Sequence, residues 1–226
     1  AGRVIMRRRP VPVTLAWLFV LAFPVPFVGA LAYLVLGEVR LGGRRFQNYL
    51  DLTSEFTERA RIFWRARSQE WSPETRPYRH VADVLTQIGH FPPLRGNSLE
   101  FVAGSQPFLD GLIRDIDAAQ KRVHLLFFIW MHKSAGVKLA EAVERAAKRG
   151  VECRVLIDAH GSKRFLRGPW PERMRAAGAK VAEALPVNPV RMLLARVDLR
   201  NHRKIAVIDG TLAWTGSSNI TDAMYG

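Results

Sequence analysis

Three regimes of apolar patterning follow one another along the chain. From Pro10 to Gly37 no charged residue occurs, and residues 11–36, VPVTLAWLFVLAFPVPFVGALAYLVL, exceed the about 20 that a helix needs to cross a hydrocarbon core. Trp17 and Tyr33 fall toward the ends of this run, where interfacial anchors sit. Pro24 and Pro26, near its middle, remove backbone donors and predict a kinked or re-entrant path. The run is longer than the about 7–15 apolar residues of a signal peptide, and no small-x-small cleavage site follows it. Residues 1–10 are therefore read as a basic flank and 11–37 as a transmembrane or re-entrant segment. Next comes a polar, Arg- and aromatic-bearing stretch, 38–95, read as a juxtamembrane linker. Phe63-Trp64 among Arg59, Arg61, Arg65 and Arg67 suits a helix lying on a membrane surface and equally an ordinary amphipathic linker helix.

Pro92-Pro93 and Gly96-Asn97 mark the start of the globular part, where helical and strand periods alternate. Leu109, Leu112, Ile113, Ile116 and Ala119 recur at helical spacing, and 123–130 is an apolar and aromatic run broken only by His124. Leu139, Ala142, Val143 and Ala146 form a second helical face, with Glu141/Arg145 and Glu144/Lys148 as i, i+4 pairs outside it. Ser134 is placed to cap that helix and Gly150 to end it. Strands are predicted over 151–157, 180–185, 204–208 and 211–214, and a short proline-opened helix over 171–177. The pattern is that of an α/β layered domain around a mixed or largely parallel sheet, spanning 96–226.

Composition bears on the partner. The chain has 34 Lys+Arg against 20 Asp+Glu, a formal net charge of +14, and 48% hydrophobic residues. Basic excess alone suits nucleic acid as well as acidic lipid; the uncharged run selects lipid. Arg3, Arg7, Arg8 and Arg9 precede the run and Arg40, Arg44 and Arg45 follow it, so the flanking charges do not assign a side of the membrane. The single cysteine, Cys153, excludes an internal disulfide, and its place in an alternating strand predicts a buried, inert thiol. No His-x3-His, carboxylate cluster or cysteine pair suggests a metal, and no cofactor is implied.

The chemistry concentrates near the end. His202, Lys204, Asp209, Gly216, Ser217 and Asn219 read His-x-Lys-x4-Asp-x6-Gly-Ser-x-Asn. Six fixed residue types at about 5% usage each coincide at a given start roughly once in 10^8. Singly each is commonplace: a lone histidine is usually structural, and Asp-Gly is a common hairpin turn. Attack on a phosphodiester needs a nucleophile, donors on the non-bridging oxygens and an acid for the leaving alkoxide. His202 offers a ring nitrogen. Lys204, two residues on in an extended segment, projects from the same face as a compact positive charge. Asn219 and Ser217 offer an amide and a hydroxyl to phosphate, and Asp209 provides orientation and charge balance. Asp158, at a strand end before Ala159-His160-Gly161-Ser162, is a further candidate for a ligand-binding loop. His124 and His132 flank a core strand and are read as structural; His80 and His90 match no catalytic spacing.

The segment 201–219 resembles the signature of the phospholipase D superfamily. Upstream likeness narrows it to bacterial cardiolipin synthases: Leu31-Ala32-Tyr33 to Gly37-Glu38, Phe128-Ile129-Trp130, Gly168-Pro169-Trp170-Pro171-Glu172, Val187-Asn188-Pro189-Val190-Arg191 and Val197-Asp198-Leu199-Arg200. The resemblance implies a phospholipase D-like layered half-domain and a phosphatidyltransferase. One motif histidine attacks a phosphatidyl phosphorus to form a phosphohistidine, and the histidine of a second motif serves as acid and then base. With phosphatidylglycerol as donor and acceptor, the products are cardiolipin and glycerol. His202, Lys204 and Asp209 would then be the catalytic residues, with Ser217 and Asn219 on phosphate; which histidine attacks is left open. Such enzymes carry two motifs and this chain one, so a fragment of a protein about twice its length is expected, inactive alone and located at the bacterial plasma membrane. The partner half would lie in the same full-length chain or, as the alternative, in a second copy, as in a homodimeric superfamily phosphodiesterase or nuclease. With lipid as the substrate, no nucleic acid is expected.

Overall fold

A computed structural model describes residues 43–68, 70–89, 91–186 and 200–222. The expectations for 1–42, including the membrane segment with Trp17, Tyr33, Pro24 and Pro26, lie outside the described residues, as do His90 and the segments at 187–191 and 197–199. Among the described residues no helix is long and apolar enough to cross a membrane.

The chain divides into two compact units, 40–101 and the remainder. In the smaller unit, helix α1 (Gly43–Arg67) is followed by a 3-10 turn (Arg76–Tyr78) and helix α2 (Arg79–Gly89). Trp64 is half-buried because its indole meets Phe56 and Phe91 edge to face, at centroid distances of 6.2 and 5.4 Å. Phe63 stays exposed, and the Arg67 guanidinium lies over its ring at 4.7 Å. The return of the chain is fixed by the Arg95 N–H, which donates to the Arg67 carbonyl at 2.9 Å.

The larger unit contains helix α3 (Ser105–Ala118), strand β1 (Arg122–Phe127), helix α4 (Ala135–Lys148), strand β2 (Glu152–Asp158), short helices α5 (Lys163–Leu166) and α6 (Trp170–Ala176), and strands β3 (Lys180–Ala184), β4 (Ile205–Ile208) and β5 (Leu212–Thr215). The sheet order is β3-β2-β1-β4-β5. The three strands β1, β2 and β3 are mutually parallel, whereas β4 runs antiparallel to β1 and β5 antiparallel to β4. This is the expected mixed α/β sheet. Crossover through helices makes the parallel half, and a tight hairpin makes the antiparallel half.

One face of the sheet forms the core. Val123, Leu125 and Phe127 of β1 and Cys153, Val155 and Ile157 of β2 pack with Leu112 and Ile116 of α3 and Leu139 and Val143 of α4, all buried. The alternation in the strands supplies every second side chain to this face, while Leu126 and Leu156 point to the other. A Cβ on Gly111 would stand 2.7 Å from the Trp214 ring, so the bare glycine makes room on α3 for the indole of β5. Cys153 is buried beneath α4, and burial pushes its thiol up to about 11, as befits the expected inert residue.

Several expectations shift by a residue or more. The apolar run 123–130 does not continue as one strand: β1 ends at Phe127, the chain bends at Phe128, and Trp130 forms an isolated parallel bridge with Ile220. Ser134 does not cap α4. Its φ is 40° with no side-chain cap bond, and the Ala135 N–H donates to Asp222 Oδ1 at 3.0 Å. Arg145 forms its ion pair with Asp117 of α3, at 2.8 Å, rather than with Glu141; Glu144 and Lys148 pair as expected, at 2.7 Å.

Candidate functional site

The antiparallel pairing of β4 with β1 determines where the motif lands. Leu126 near the end of β1 lies opposite Ile205 at the start of β4, and Ile205 lies opposite Thr215 at the end of β5. The residues just before β4, just after β5 and just after β1 and β2 therefore converge on one edge of the sheet. That edge is where open α/β sheets place their ligands.

His202 sits there on the extended approach to β4, exposed at one side. Its imidazole stacks on the Phe128 ring with centroids 4.0 Å apart and planes at 21°. Lys204, half-buried, curls back so that its Nζ donates to the His202 carbonyl oxygen at 2.7 Å. The turn after β5 brings Asn219 against the end of β1, where the Ile129 N–H donates to Asn219 Oδ1 at 3.1 Å. With that oxygen engaged, the two amide hydrogens of Asn219 are the donors left for a ligand. Backbone bonds on either side hold the turn: the Ile220 N–H donates to the Ile129 carbonyl at 3.1 Å, and the Met131 N–H to the Ile220 carbonyl at 3.0 Å. Ser217 is exposed on the same turn.

Asp209 does not join this group. It stands at the far end of β4, about 13 Å of strand from the start at about 3.3 Å per residue. There its carboxylate accepts three backbone N–H groups that precede or begin β1: Gln120 at 3.0 Å, Lys121 at 2.7 Å and Arg122 at 2.9 Å. The Gln120 N–H first, then those of Arg122 and Lys121, hold its carboxyl below the usual carboxylate range. Asp209 and Gly210 also make the hairpin turn, with φ of 53° and 76° and the Thr211 N–H donating to the Ile208 carbonyl at 3.2 Å. Both central residues in left-handed conformation define a type I′ turn. This placement fits orientation of the sheet, at the end away from His202.

Asp158 comes to the edge, but as a clamp. Its Oδ1 accepts the N–H groups of His160 and Gly161 at 2.9 and 2.8 Å, and both oxygens accept from Arg200 Nε at 3.0 and 2.8 Å. The two side chains are 3% and 7% exposed, and Arg200 also donates to the Leu185 carbonyl at 2.9 Å. The pair ties the segment entering the motif to the ends of β2 and β3. A buried charge stripped of such a partner costs about 3–5 kcal/mol. Ser162 makes a second tie: its Oγ donates to the Phe128 carbonyl at 3.0 Å and accepts the Trp130 N–H at 2.8 Å. Phe128, Arg200 and Ser162 had no role assigned by the motif itself, although Phe128 and Arg200 lie in segments that carry the family likeness and Ser162 lies in the loop after Asp158.

The family model described as cardiolipin synthase, PLD-like domain, matches residues 112–225. A second, described as phospholipase D-nuclease N-terminal, matches residues 1–38. Cardiolipin synthase A of Escherichia coli is 38% identical over 235 residues, covering 99% of this chain and 46% of the relative. The chain thus spans about half the length of the curated relatives it matches. Among solved structures, NucT from Helicobacter pylori aligns over 51% of this chain and 69% of its own, at 18% identity and a TM-score of 0.40. Nuc from Salmonella typhimurium, a phospholipase D family member, aligns over 50% and 65%, at 20% identity and a TM-score of 0.36.

Proposed function

The chain belongs to the cardiolipin synthase, phospholipase D-like domain family, and from that premise we propose that it supplies one half of a phosphatidyltransferase active site that joins two phosphatidylglycerol molecules into cardiolipin and glycerol. The observation that carries the reading is the meeting of His202, Lys204 and Asn219 at one sheet edge, with Asp209 serving the fold from the other end. A ring nitrogen of one motif histidine attacks the phosphatidyl phosphorus; the P–N bond forms as the bond to the glycerol oxygen breaks, and the second motif's histidine protonates that oxygen. A hydroxyl of a second phosphatidylglycerol then gives its proton to the same base and attacks phosphorus, breaking the P–N bond. His202 fills one of these two histidine roles, while the Lys204 ammonium and the Asn219 amide stabilise charge on the non-bridging oxygens, and Ser217 adds a hydroxyl from the same turn.

The second motif comes from the same full-length polypeptide or from a second copy. Residues 11–37 hold the enzyme in the membrane where its lipid substrate lies, and 38–95 link that anchor to the catalytic half-domain. The test is direct. Membranes from cells expressing the complete gene are incubated with phosphatidylglycerol in EDTA and the lipids are resolved. The wild type is expected to form cardiolipin without added metal, because side chains supply nucleophile, cation and acid, and His202→Ala is expected to form none. Absence of product from the wild type, or undiminished product from the variant, overturns the proposal.

A further inference from the structure

The ring of Phe128 occupies a place that the motif chemistry leaves undefined. β1 delivers Phe127 into the core at 1% exposure, and the bend that follows turns the next side chain toward the edge, where it stacks on His202 at 4.0 Å and 21°. The backbone beneath the ring is fixed from three directions. Ser162 Oγ donates to the Phe128 carbonyl at 3.0 Å, Asn219 Oδ1 receives the next N–H at 3.1 Å, and Gly161 lies so close that a Cβ there would stand 2.4 Å from that carbonyl oxygen.

An imidazole attacks phosphorus, or passes a proton, through a lone pair or N–H that lies in the ring plane. A partner bonded to one nitrogen fixes that plane but occupies the nitrogen. A ring stacked on the face fixes it and leaves both nitrogens open. We propose that Phe128 is the positioning residue of His202, setting the plane in which its reactive nitrogen meets the phosphorus through ring stacking. The inference rests on the reading of His202 as a motif histidine given above, and deepens it. A Leu or Met side chain of similar bulk fills the space without supplying a flat face, so the imidazole turns about its Cβ–Cγ bond and misses the line of attack. Misplacement of that size costs on the order of a hundredfold in rate.

The experiment compares Phe128→Leu, Phe128→Met, Phe128→Tyr and Phe128→Trp with the wild type and His202→Ala in the complete protein, with rates expressed per folded molecule from circular dichroism. Leu and Met are expected to lower kcat by about 10- to 100-fold with KM little changed. Tyr and Trp, which keep a flat face, are expected to restore most of it. Phe128→Leu or Phe128→Met at wild-type kcat overturns the inference. So do Tyr and Trp variants as slow as the Leu variant, which would make the residue a packing element only, and so does a rise in KM at unchanged kcat. An inactive wild type or an active His202→Ala instead sinks the functional reading itself, so the two failures are told apart in one series. Two variants that lack the ring and two that keep it leave a comparison standing should one of them fail to fold.

Discussion

Asn219 does two things with one side chain, and they separate on substitution. Its oxygen accepts the Ile129 N–H, while its amide hydrogens are left as donors for the proposed phosphate. Asn219→Asp keeps an acceptor for Ile129 and so keeps the turn, but it removes both donors and sets a negative charge beside the proposed anionic substrate. Removing one donor to developing phosphate charge costs on the order of 100- to 1000-fold in kcat. A loss of that size with an unchanged unfolding midpoint is expected; a loss of both together would show that the turn, not the donor, was damaged. Lys204 has the same double standing through its bond to the His202 carbonyl. The types and spacing of these residues were readable in the chain because the chemistry restricts them. Phe128 and Arg200 stood out only within the family likeness, and their roles were not readable, because aromatic and arginine residues are common and only their three-dimensional neighbours distinguish them.

At the scale of elements, the hairpin of β4 and β5 is fastened to the start of β1 by Asp209. Backbone N–H donors hold its carboxyl below the usual range, so the ionised form is the one that stabilises the fold. The sign follows: the contribution is fully present above the ordinary aspartate value of about 3.9 and is lost as pH falls through the lowered folded value. Asp209→Asn is therefore expected to melt below the wild type near neutral pH, with the gap closing as pH drops below about 4. Thermal midpoints across a pH series check this, and a gap that stays constant with pH would refute the electrostatic account. Alternation made β2 and β3 legible within a residue or so, since one buried face stamps a period of two on the sequence. The same signal overran the end of β1, because Trp130 is buried against Phe165, with rings 5.0 Å apart, and its apolar character says nothing of the bend between. The cap of α4 was illegible for a related reason. Asp222, which takes the Ala135 N–H, lies 87 residues away in sequence, whereas Ser134 stood in the expected local position.

For the whole molecule the question is what holds the protein to its substrate. A net charge of +14 draws any polyanion, yet such attraction is screened within about 3 Å at 1 M salt. The uncharged run at 11–36 is not screened. The complete protein is expected to stay with sedimented membranes through a 1 M salt wash; its release into the supernatant would remove the anchor from the proposed function and restore the case for a charge-driven partner such as nucleic acid. The fold class was legible at this scale because helical and strand periods alternate along 97–214. The order of the strands was not, since nothing local in 205–208 says that it pairs with 123–126 in reverse direction.

That reversed pairing has a consequence in time. The edge that holds the candidate site is assembled from segments near 128, 158, 202 and 219, and its defining contacts span up to 90 residues of sequence. Long-range strand pairing of this kind is slow, because loop closure precedes any reward from contact. Phe128 and Asp158 precede Asn219 in the chain, so the edge is complete only when the segment at 219 has joined it. The proposed phosphate site is thereby finished by the closing hairpin, the last of its parts to be made.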